Sequence, residues 1–106
     1  YAAAATSLEE ALGLEGVDWA RPAVALALGD CYRELGKMDD ALSTYATVLA
    51  MDNADAGLKA GAHLCSGFIH QYDRHDAGKA RASYAAALEL RPDLKPEIDG
   101  HLGRLP

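Results

Sequence analysis

Apolar side chains recur every three or four positions along five stretches of this chain, and each stretch is bounded by residues that start or stop a helix. The first runs from Ala2 to Gly13, with Leu8, Ala11 and Leu12 on one face and Gly13 or Gly16 as its stop. Asp18 stands where a carboxylate can cap free N–H groups and Trp19 opens a second helix. Pro22 falls in the first turn, where no internal N–H partner is needed. That helix runs to Leu35 and ends at Gly36. After Lys37-Met38 a third spans Asp39 to Met51, its stripe made by Ala41, Leu42, Tyr45, Val48 and Leu49. Asp52-Asn53 breaks it, and a fourth covers Asp55 to Tyr72 with Leu58, Leu64, Cys65, Phe68, Ile69 and Tyr72 apolar. Asp73-Arg74-His75 makes a turn, Asp76 caps, and a fifth helix from Ala77 to Leu90 carries Ala80, Tyr84, Ala87 and Leu88. Pro96 opens a short sixth helix through Leu102. No run of alternating Val, Ile or Thr marks a strand, so an all-α fold is expected.

The stripes share a phrase. The chain spells Ala25-x-x-Leu28-Gly29-x-x-Tyr32, then Gly36, then Ala41-x-x-x-Tyr45, and part of this returns as Ala80-x-x-x-Tyr84-x-x-Ala87-Leu88-x-x-x-Pro92. The phrase resembles the tetratricopeptide repeat, a helix–turn–helix unit with Leu-Gly, Tyr, Ala, aromatic and Pro at fixed offsets. The resemblance implies antiparallel hairpins stacked as a short right-handed α-solenoid of about five to six helices. It divides a single domain, 1–106, into the second helix of an incomplete repeat (1–16), a repeat (18–53), a second repeat (55–92) and a capping helix (96–105). Ala41, Tyr45, Leu49 and Asn53 recur 39 residues later as Ala80, Tyr84, Leu88 and Pro92, whereas Leu12 to Leu49 is 37. Since the family spacing is about 34, the surplus is expected in the junctions Gly13–Arg21 and Asp52–Gly61, as an added turn on the front of helices two and four.

Small residues belong where two helices of a hairpin touch, so Gly29 should face Ala41, with Tyr32 and Tyr45 filling the space beside them and Ala80 with Tyr84 repeating the arrangement. The fourth helix allows two registers. A constant 39 sets Phe68 opposite Gly29 and Gln71 opposite Tyr32. A slide by one sets Gly67 opposite Gly29 and requires one inserted residue, expected in the Asp73–His75 turn. The slide is preferred, because Phe at the close contact would force the helices apart.

In this family the first helix of each hairpin lines a concave groove. The resemblance therefore implies a groove of Leu26, Asp30 and Arg33 from helix two, with Cys65 or Ser66, Ile69 and Tyr72 from helix four. Arg33 is its only basic residue and Asp30 would repel a carboxylate, which disfavours the carboxylate-clamping class of ligand. A partner helix or extended segment with apolar and basic residues fits better. Asp30 and Arg33 read equally well as ordinary surface charges.

Composition narrows the rest. The chain has 22 Ala against one Phe and one Trp, which suits close helix crossings. A net charge of −6 works against a nucleic-acid partner, and no apolar run reaches the roughly 20 residues of a membrane span. Cys31 and Cys65 lack CxxC spacing and read as buried apolar groups, which favours a reducing compartment and hence the cytoplasm. Because the chain starts without Met, it is expected to be an excised domain. His63 and His70 share a helix face with no carboxylate at the completing offset, His75 and His101 stand apart, and Cys65 with His70 point away from each other. No metal, cofactor or catalytic set is expected. The expected function is a non-catalytic protein-interaction module. The alternatives are an accessory domain of a larger enzyme or a self-assembly module whose open end carries the contact.

Overall fold

The computed structural model describes residues 1–106, and they form six α-helices without a strand: α1 (Ala2–Leu12), α2 (Arg21–Glu34), α3 (Met38–Ala50), α4 (Ala56–Phe68), α5 (Ala77–Leu90) and α6 (Lys95–Leu102). Consecutive helices from α1 to α5 pack against one another, and α2 also meets α4. The result is elongated, 44 × 26 × 18 Å.

The added turn in front of α2 is a 3-10 turn, Asp18–Ala20, and in α4 it is part of the α-helix itself. Asp55 and Asp76 cap α4 and α5 by accepting the N–H of Leu58 (2.8 Å) and Lys79 (3.0 Å). Asp18, expected to cap α2, does not. Its carboxylate instead takes the Arg21 guanidinium at 2.7 Å, and the same guanidinium donates to the carbonyls of Leu12 and Leu14. A charge-assisted bond outcompetes a neutral N–H, and it ties the end of α1 to the start of α2.

Each hairpin closes on one glycine and one tyrosine. A Cβ on Gly29 would stand 2.6 Å from Tyr45 Cε1, and a Cβ on Gly67 would stand 2.5 Å from Tyr84 Cε1. Both tyrosines are fully buried, so only glycine admits the ring. Gly67 thus repeats Gly29, 38 residues on, while Tyr84 repeats Tyr45 at 39.

The extra residue lies inside the helix. Gly36 and His75, the left-handed residues that end the two first helices (φ 79° and 53°), are also 39 apart, so the turn itself keeps step. The insertion falls between Gly67 and His75, where Ile69–Asp73 form a π-helical turn and the Arg74 N–H reaches back five residues to the Ile69 carbonyl at 2.9 Å. The sequence pattern places it in the Asp73–His75 turn and continues the α-helix to Tyr72, whereas the α-helix ends at Phe68. A wider turn takes up one residue without breaking the ladder, which is why the helix carries it.

The core is made of three packings. Ala25, Ala41, Tyr45, Val48, Ala54, Ala62 and Ile69 fill the space around α2, α3 and α4. Ala80, Tyr84, Ala87 and Ile98 do so around α5 and α6. Ala5, Leu28 and Cys31 join α1 to α2.

Candidate partner-binding cleft

The register at Gly67 decides what faces outward. With Gly67 at the close contact, Phe68 occupies the place after it that Asp30 holds after Gly29. Phe68 then lies at the floor of a cleft of about 460 Å³, walled by Arg33 and Glu34 from the end of α2, Met38 from α3, Tyr72 and Asp73 from the π-turn, and His101 from α6.

The Arg33 guanidinium sits over the Phe68 ring, 5.8 Å from its centroid, and 3.8 Å from Asp30. Phe68 also packs against His101 (4.7 Å), Tyr84 (6.2 Å) and Tyr72 (6.5 Å), so α6 closes one side of an aromatic cluster. That side is pinned by hydrogen bonds. Gln71 Nε2 donates to the His101 carbonyl at 2.7 Å, the Tyr72 hydroxyl pairs with His101 Nδ1 at 2.6 Å, and Arg104 donates to the Tyr72 oxygen at 3.1 Å.

Behind the cleft, Tyr45 donates to Asp30, and burial together with that bond pushes its phenol far above the usual range. Burial and the Asp30 charge push the neighbouring Cys65 thiol up to about 11. These groups hold their protons at neutral pH and offer no nucleophile. No three His, Cys, Asp or Glu side chains converge on a point.

The seven side chains named for the groove divide. Arg33 and Tyr72, the latter 45% exposed, both line the cleft. Asp30 stands beside it and is held by Tyr45 and Arg33. Leu26 wedges between α2 and α4, its Cδ2 3.3 Å from where a Cβ on Gly61 would be. Cys65 is half-buried, and Ser66 is buried with its hydroxyl donated to the Ala62 carbonyl. Ile69 is 2% exposed, since the slid register sets it opposite the buried Cys31 rather than Asp30, and it supports the cleft from beneath. Phe68 was legible as the neighbour of Gly67. Met38 and His101 carried no signal of their own, because turn geometry and the return of α6 bring them in.

The sequence profile of the tetratricopeptide repeat matches residues 23–55. That segment holds most of α2, the Gly36 turn and all of α3, including the Gly29–Tyr45 contact. Residues 23–55 form a tetratricopeptide repeat. Its second hairpin, α4–α5, rebuilds the repeat's contact with Gly67 and Tyr84. No curated protein and no solved structure matches the chain. The repeat is a scaffold for protein–protein interaction, and no helix here is long and apolar enough to cross a membrane.

Proposed function

We propose that this chain is a non-catalytic module that holds a helix or extended segment of a partner protein in the cleft between α2, α4 and α6. The observation that carries the reading is the open cleft with Arg33 stacked on Phe68 and Tyr72 at its mouth. Arg and Tyr are favoured anchors of interfaces, and the apolar floor gives a side chain somewhere to go. Asp30, Glu34 and Asp73 around it favour a neutral or basic segment over an acidic tail. The net charge of −6 supports a protein partner rather than nucleic acid. A larger enzyme carrying this segment as an accessory domain would use the cleft in the same way. The free thiols Cys31 and Cys65 support a cytoplasmic setting.

The test is a pull-down from cell extract with the parent and an Arg33→Glu, Tyr72→Ala double variant, after circular dichroism has established equal helicity. Partners held by the parent and lost by the variant support the cleft. Partners retained by both move the contact to the ends of the stack.

A further inference from the structure

The largest side chain that serves no packing lies elsewhere. Trp19 is 83% exposed and belongs to none of the core packings, and Leu14 on the same connection is 58% exposed. Both sit in the stretch between α1 and α2 that lengthens this unit beyond the usual repeat. A surplus segment that places an indole in water at no gain to the core is unexplained by folding.

The charges around it have one sign. Residues 1–20 contain Glu9, Glu10, Glu15 and Asp18, all exposed, and no Lys or Arg. Asn53 donates to the Asp18 carbonyl at 2.8 Å, which draws the turn with exposed Asp52 to the same place. Arg21, the first cation along the chain, donates to Asp18 and to the carbonyls of Leu12 and Leu14. The loop therefore presents exposed apolar side chains among acidic ones.

We infer that the α1–α2 connection, centred on Trp19, is a second docking surface, and that its occupant is a basic segment of another protein bearing Lys or Arg beside an apolar residue. A cation can stack on the indole face while Glu15, Asp18 and Asp52 meet its charge, and Leu14 extends the apolar contact. A second copy is the poorer occupant, because a chain of net charge −6 would bring acid against acid. Anionic membranes and nucleic acids are repelled for the same reason.

Trp19 is the only tryptophan, so its own emission reports on the site. The probe is a fluorescein-labelled peptide with Lys flanking a central Leu-Leu pair, compared with the same peptide carrying Glu for Lys. The Lys peptide should shift Trp19 emission to the blue with saturation, and added salt should weaken it. By peptide anisotropy, Trp19→Ala and Glu15→Lys should each raise Kd about tenfold with an unchanged melting temperature. Because the cleft also favours a basic segment, the separating readout is the emission of Trp19: its blue shift should persist in the Arg33→Glu, Tyr72→Ala variant, so loss of the cleft reading and loss of this one are separable. Equal binding of the Glu peptide, equal binding by Trp19→Ala, or no shift at all overturns the inference. A blue shift that grows with protein concentration alone also overturns it, in favour of a second copy.

Discussion

The Tyr84 hydroxyl donates to Gln71 Oε1 at 2.6 Å, doing in the second hairpin what Tyr45 does in the first by donating to Asp30. The tyrosines are equivalent and the acceptors are not. Asp30 is partly exposed, directly follows its glycine and can take water if the bond is lost. Gln71 is buried, comes from the π-turn, and spends its amide on the His101 carbonyl.

Removing the two hydroxyls should therefore cost unequal amounts. Tyr84→Phe leaves the Gln71 oxygen buried without a donor and should lose about 1–2 kcal/mol, whereas Tyr45→Phe should lose less. Urea unfolding of the two variants checks the order. The reverse ranking would mean that Asp30 is less hydrated than its exposure implies.

Glycines separate just as sharply. Gly29→Ala and Gly67→Ala drive a Cβ into a buried ring and should each destabilise by about 1–3 kcal/mol. Gly100, inside α6 with nothing near its missing Cβ, should gain about 0.5–1 kcal/mol as alanine. Ala41→Leu should behave like the first pair, since Ala41 is fully buried. Melting curves of the four variants decide the matter, and a parent-like Gly67→Ala would refute the register.

His75 holds a left-handed conformation that disfavours any side chain with a Cβ. His75→Gly should stabilise by about 0.5–1 kcal/mol, the strain relieved exceeding the added chain entropy. A lower melting temperature would show that the His75 side chain makes a contact worth more than that strain.

Burial first, and the Asp30 charge next, push the Cys65 thiol from 9.0 up to about 11. The folded chain thus keeps a proton that the unfolded chain releases. This contribution is whole below about pH 9 and is lost as pH rises through about 11, a fall of up to about 3 kcal/mol. Cys65→Ala should flatten that part of the stability curve. An unaltered alkaline slope in the variant would assign the fall to the buried tyrosines instead.

His63 is held below its ordinary value by burial, as is His70, to which the Lys79 charge adds. The unfolded chain takes up protons that the fold resists, so this stability is present above about pH 6.5 and is lost as pH falls. His63→Gln should unfold less steeply on acidification than the parent in a urea series across that range. Identical acid profiles would rule out His63 as a contributor.

Much of the fold was legible because helical period, caps and glycine stops are local signals. The α5 helix, from its Asp76 cap to Leu90, is where the stripe put it. The end of α4 was not, because no residue type marks a π-turn; it is the response of a helix to one residue too many between two fixed contacts. Asp18 misled for a different reason. A cap is readable from one residue, but the competing Arg21 guanidinium needs the end of α1 brought close. The cleft follows the same division: Arg33 and Tyr72 could be named from repeat position, while the Phe68–His101 packing depends on α6 returning from 33 residues away.

The π-turn has a consequence for how such an array can change. Deletion or insertion inside a packed helix would ordinarily rotate every later side chain off its face, but here the wide turn cancels the rotation before Gln71 passes into His75 and α5. The hairpin contact upstream and the left-handed turn downstream are both preserved, and only the few residues between them are readdressed. Those residues include Tyr72 and Asp73 at the cleft wall. A repeat of this kind can therefore change which side chains wall its cleft by gaining or losing a single residue, with the scaffold's contacts left as they were.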